Sequence, residues 1–177
     1  ASIAPGLANL PNSVVGGTST NPVHRFTHTV GNTLTINLSA GGIGDATGPV
    51  ATDVQIGNQA ILGPNGNQGS SGFVYFQDQN TYTGQTVVAR FMTLRFNTGM
   101  NVGNTAGPLG ATAGALIDIY GGLRFEGTGS LFQNGSTTVH HYTNVNFHPL
   151  STLTFQDMDD TGGAANRWGD SVAINLD

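Results

Sequence analysis

Three aspartates, Asp157, Asp159 and Asp160, form the one acidic cluster of the chain. Calcium takes about six to eight oxygen ligands, and these carboxylates with neighbouring carbonyls could begin such a shell. The spacing is not that of an EF-hand, however, and the Gly-Gly-x-Gly-x-Asp nonapeptide of calcium-binding rolls is missing. A solvated loop running into Gly162-Gly163 fits the segment better, so the three are weak calcium candidates and no cofactor is expected. Histidine offers zinc little more. On a strand, His140 and His141 point to opposite faces, and His148 lies seven residues on. His24 and His28 share a face but lack an evident third ligand. Acid–base chemistry would draw on Asp118 and Glu126, with Arg95 and Arg124 to stabilise developing negative charge. These four make a sparse set, and no enzyme is expected.

The absences are as informative. The 177 residues contain no cysteine, which excludes disulfides, thiolate metal sites and a cysteine nucleophile. Lysine is absent, Glu126 is the sole glutamate, and Gly, Thr and Asn together fill 66 positions. Such a chain lacks the strong surface helix formers and is rich in strand and turn formers. A net charge of −5 carried against five arginines gives no electrostatic grip on nucleic acid or an anionic membrane. No stretch reaches the ~18–20 apolar residues of a membrane helix. No basic, apolar leader opens the chain, so any secretion signal is expected to have been removed. The Asn37-Leu38-Ser39 and Asn134-Gly135-Ser136 sequons are expected by chance in a chain with so much Asn, Ser and Thr.

These residues must be positioned by strands. Apolar side chains alternate at Leu34–Leu38, Phe73–Phe76, Val87–Phe96, Leu116–Tyr120, Tyr142–Phe147, Leu153–Phe155 and Val172–Leu176, mostly separated by Gly, Asn, Asp or Pro. A Leu-x-apolar core recurs at Leu34, Leu94, Leu123 and Leu153, at intervals of 60, 29 and 30. The missing member of a thirty-residue series would fall near Ile61-Leu62. Such a period suits a parallel β-helix, or β-solenoid, whose coils bury their inward side chains on one another. A β-sandwich is the alternative. Residues 24–177 would form the solenoid, and residues 1–23, broken by Pro and Gly, an extended arm or cap. In this register Leu94, Phe96, Leu123, Phe125, Leu153 and Phe155 stack in one core. Arg95 and Arg124 then stand one above the other, as a small cationic ladder or paired with Asp118 or Glu126.

Two segments go beyond pattern. Asn80-Thr81-Tyr82-Thr83-Gly84-Gln85-Thr86-Val87-Val88-Ala89 resembles the Asn-Thr-Tyr-Thr-Gly-Gly-Thr-Thr-Val segment of autotransporter-associated β-strand repeats. Leu153-Thr154-Phe155-Gln156-Asp157 followed by Asn166-Arg167-Trp168-Gly169-Asp170-Ser171 is similar to another stretch of the same proteins. The resemblance implies a secreted or surface-exposed bacterial β-helix protein with no shared catalytic set. Gln85 departs from it where the repeat prefers a second glycine, which implies a wider corner. The family also continues beyond the position of Leu176-Asp177, so this chain is either a unit of a longer one or is completed by a neighbour.

The expected function is therefore a non-enzymatic subunit of an extracellular fibre or surface matrix, assembling end to end through strand edges. The expected partner is the protein itself, or the continuation of a longer chain. An adhesin or glycan-binding module is the alternative, and a polysaccharide-degrading enzyme comes third. The expected interface is built from Ile3, Leu7, Leu10, Val14 and Val15 of the arm, lying across a neighbour's edge, together with Ile174 and Leu176.

Overall fold

The computed structural model describes residues 21–26, 33–36, 42–45, 50–57, 72–77, 79–96, 106–111, 116–125, 144–155 and 174–176. Of residues 33–36, 144, 155 and 174–176 the backbone alone is described. The described residues are all-β, with no helix among them. The strands are β1 (Val23–Phe26), β2 (Thr33–Ile36), β3 (Asp53–Ile56), β4 (Gly72–Phe76), β5 (Thr86–Val88) and β6 (Met92–Phe96). After them come β7 (Ala106–Gly107), β8 (Gly110–Ala111), β9 (Leu116–Ile119), β10 (Gly122–Phe125), β11 (Asn144–Phe147), β12 (Thr152–Phe155) and β13 (Ile174–Leu176).

Apart from the antiparallel β7–β8 hairpin, the chain alternates between two sheets. One sheet has six strands in the order β1-β3-β5-β9-β11-β13, and the other five in the order β12-β10-β6-β4-β2. Every pairing in both is parallel. Parallel neighbours cannot be joined by tight hairpins, which distinguishes this topology from the antiparallel sandwich offered as the alternative. One round of chain is the path from a strand of the six-stranded sheet to the next strand of that sheet.

Period-two alternation sends one row of each sheet into a shared core. Val54, Ile56, Val88, Ile117, Ile119, Val145 and Phe147 come from the six-stranded sheet. Val74, Phe76, Leu94, Phe96, Leu123 and Phe125 come from the five-stranded one. Phe26 meets Phe76 edge-on across the core, at 5.6 Å and 81°. Each of the fully buried side chains contributes about 1.5–3 kcal/mol through the water it excludes. Ile43, Tyr82 and Leu109, on the connections between strands, close a further side of the same core.

The expected stacking is present in the pairing register: Leu94, Leu123 and Leu153 are neighbours, as are Phe96, Phe125 and Phe155. The missing member of the leucine series is Val74, not a residue near Ile61-Leu62, which lies outside the described residues. Val74 stands forty residues after Leu34 and twenty before Leu94, so the interval of 60 divides unequally. The pleat fixes which face a residue takes, whereas connections are free in length. The Val87–Phe96 run is likewise two strands, because Ala89–Phe91 turns between β5 and β6. Strand β1 begins at Val23, the last residue assigned to the arm.

Two of the turns share an unusual feature. The Ala89–Met92 and His148–Ser151 turns are closed by N–H to C=O bonds of 3.2 and 3.0 Å. Their third residues, Phe91 and Leu150, have φ of 69° and 70°, the left-handed region usual for glycine there, and both are exposed. Between them in the stack the β9–β10 corner is shorter, at Tyr120-Gly121. A Cβ on Gly121 would lie 2.2 Å from the Met92 carbonyl oxygen and 2.3 Å from that of Ala89.

Candidate functional site

The Asn80–Gln85 segment just before β5 is a staple across three rounds. Asn80 is buried, and its side chain works in both directions. Its Oδ1 accepts from the Ile43 N–H at 2.8 Å, and its Nδ2 donates to the Pro108 carbonyl at 2.7 Å. Thr81 N–H donates to the Ile43 carbonyl, and Asn80 N–H to Gly107. Tyr82 is fully buried below this. Thr86 spends its single hydroxyl proton on the Leu109 carbonyl at 3.1 Å, so the Tyr82 hydroxyl is the donor in its 2.6 Å bond to Thr86 Oγ1. Burial raises the Tyr82 pKa and keeps the phenol protonated, as that donor role requires. Gly84 is dictated by space: a Cβ there would meet Asp53 Oδ1 and the Thr52 carbonyl at 2.3–2.4 Å.

Three carboxylates complete the staple. Asp45 accepts from the Thr52 and Thr83 N–H groups and from the Thr83 hydroxyl, at 2.8–2.9 Å. Asp53, fully buried, accepts from Asn21 Nδ2 and the Gln85 N–H. Asp118 receives bonds from the Gln85 side-chain amide and from Asn146 Nδ2, and lies 2.9 Å from His148 Nε2. The His148 ring stacks flat on Tyr120, with centroids 3.8 Å apart. Each acid thus joins strands or connections of neighbouring rounds, and such charge-assisted bonds are the strong ones. His24 shares the Asp45 corner. Burial lowers its pKa, while a backbone hydrogen bond at Gly44 and the charge of Asp45 oppose that shift.

The outer row of the five-stranded sheet carries Arg95 and Arg124. Arg95 and Arg124 are direct neighbours on β6 and β10, as the spacing implied. The Arg95 guanidinium lies over Phe73 and Tyr75, 5.3 and 5.1 Å from their ring centres. The expected pairing of these arginines with Asp118 is corrected by the topology. Asp118 belongs to β9 of the other sheet, where Gln85, Asn146 and His148 surround it.

The remaining candidates divide plainly. Glu126, Asp157, Asp159, Asp160, His28, His140 and His141, and the arm residues Ile3, Leu7, Leu10, Val14 and Val15, lie outside the described residues. Ile174 and Leu176 lie on β13, the edge strand beside β11. Among the described residues no group of three or more His, Asp or Glu gathers to hold a metal. Sequence reasoning missed Asp45, Asp53, Asn80 and Gln85 as working residues. The available signal was an acid or amide recurring about once per round, at Asp53, Gln85, Asp118 and Asn146.

Gln85 is a joint of the staple: its backbone donates to Asp53 and its side chain reaches Asp118. No family model, no curated protein and no solved structure matches the chain.

Proposed function

We propose that this chain is a non-enzymatic structural subunit, a β-solenoid that stacks end to end into a bacterial extracellular fibre or surface matrix. The observation that carries the reading is the strand order: two wholly parallel sheets fed alternately by the chain, with β1 and β2 at one end and β12 and β13 at the other. Backbone donors and acceptors at such ends favour another strand. A head-to-tail contact joins unlike ends and does not close, so it makes a filament. The carboxylates described above are engaged in holding rounds together and do not converge on a reacting centre. The likeness of Asn80–Ala89 to surface-protein repeats agrees with an extracellular place. The test is to concentrate the purified chain and examine it by electron microscopy and fibre diffraction. Unbranched filaments with an axial spacing of about 4.8 Å are expected. A chain that stays monomeric at every concentration refutes the reading.

One observation favours a second reading, an adhesin that takes an anionic glycan. Arg95 and Arg124 adjoin on an outer row beside Phe73 and Tyr75, and like charges so placed gain from an anion. Binding of a uronate polymer that is lost in Arg95→Gln, with the fold intact, would establish it.

A further inference from the structure

We infer that the corner carrying Phe91 and Leu150 is a self-complementary ridge, through which a copy in one filament packs against a second copy, turned end for end, in the next. The inference rests on the end-to-end reading, because the ridge is too small to hold two copies together alone.

The ridge is marked by the places where glycine is not used. Among the described residues positive φ recurs at Gly42, Gly57, Gly72 and Gly110. At Gly42, Gly57 and Gly110 a Cβ would also lie 1.9–2.8 Å from a neighbouring atom, so space and backbone both require glycine. Phe91 and Leu150 are the described non-glycine residues with positive φ, at 69° and 70°. Neither side chain offsets that strain by burial, since Phe91 is 46% exposed and Leu150 82%. A chain with 27 glycines thus sets two large apolar side chains in water, at strained positions, on one corner of the stack. Such a break with local preference points to a contact outside the chain.

Geometry supplies the occupant. Strands β6, β10 and β12 are successive neighbours, so the Phe91 and Leu150 turns flank the shorter Tyr120-Gly121 corner, one strand spacing to either side. The two side chains therefore stand about 10 Å apart along the stack. Gly121 adds no side chain between them, and the outline reads knob, hollow, knob. The Arg90 guanidinium donates to the Pro149 carbonyl at 3.4 Å and ties the two outer turns together. A twofold axis through the hollow, at right angles to the stack, exchanges the knobs. Phe91 of each copy then meets Leu150 of the other, and a second copy turned end for end presents the matching outline.

Size decides the form of the contact. A stable pair of proteins buries on the order of 1,200–2,000 Å², and two side chains from each copy fall far short. In a filament, however, the ridge recurs once per copy, and weak contacts made together add up. A lipid surface suits the ridge less well. Insertion takes a broader apolar face, and a net charge of −5 gives no attraction to an anionic membrane.

The test uses Leu150→Asn, because asparagine accepts a left-handed backbone and brings no apolar surface. Phe91→Gly is the second variant. Filaments of each are grown in salt that screens the net charge, then followed by turbidity and electron microscopy. The wild type is expected to form bundles in which neighbouring filaments run in opposite directions. Leu150→Asn is expected to melt no lower than the wild type, and both variants to give single filaments with most of the turbidity lost. Wild-type filaments that stay single, bundles with parallel neighbours, or variants that bundle normally overturn the inference and leave end-to-end assembly standing. Single wild-type filaments that coat vesicles of neutral phosphatidylcholine would assign the ridge to lipid instead. A variant that forms no filaments also overturns it, since the ridge lies away from the filament ends. A wild type that forms no filaments overturns both readings.

Discussion

Asn80 shows how much of this molecule hangs on single polar side chains. Its amide satisfies a backbone donor of one round and a backbone acceptor of another, both buried. Asn80→Ala strands the two partners, and an unsatisfied buried group costs roughly 1–3 kcal/mol, so a loss of about 2–4 kcal/mol is expected in chemical denaturation. Asn80→Asp keeps the acceptor for Ile43 and loses only the donor to Pro108, so it should also destabilise the chain. His24 gives the chain a pH dependence of definite sign. Its native pKa is lowered from 6.5, chiefly by burial, so between the two values the unfolded chain holds more protons. Stability is therefore complete above about pH 6.5 and falls as the pH drops towards the native value. Melting of the wild type should decline between about pH 7 and pH 5, and His24→Gln should flatten that decline. An unchanged slope in the variant would show that the imidazole at position 24 titrates normally.

At the scale of strands and turns, parity is strict and spacing is loose. Alternation in Leu94–Phe96, Leu123–Phe125 and Leu153–Phe155 told both the strands and their inward faces, because a pleat allows no other period. Phe125 is fully buried against Phe96, at 5.4 Å, and Phe125→Ala should cost about 3–5 kcal/mol in urea denaturation. A negligible cost would put the ring at the surface and break the register. The break between β5 and β6 was not legible, since Ala89-Arg90-Phe91 has no glycine or proline and turns through a left-handed phenylalanine. The polar staple was hidden for a different reason: Asp45, Asp53 and Gln85 act across rounds more than thirty residues apart, and no local pattern announces such partners. Corners make a sharper test than strands. Gly121→Ala forces a Cβ onto two carbonyl oxygens and should cost about 2 kcal/mol or more. Gly44→Ala meets only the Thr81 hydroxyl at 3.4 Å and should stay within about 0.5 kcal/mol. Equal effects in thermal melts would mean that the β9–β10 corner has room to yield.

For the molecule as a whole, the described strands pair in two parallel ladders over a shared core. Treatment with a chelator is expected to leave the melting temperature where it was. A fall of many degrees would restore Asp157, Asp159 and Asp160 as calcium ligands. The unequal rounds carry a consequence for descent. Register partners in the five-stranded sheet are separated by as few as twenty residues and as many as forty, yet their ladder is unbroken. An insertion inside a strand turns every later side chain of that strand over, but one between strands shifts nothing in the ladder. Copying errors in such a gene are therefore sorted by place. Lineages would accumulate additions and losses between strands while each short Thr-Leu-Thr kept its phase, so relatives would drift apart in length long before they drifted apart in shape.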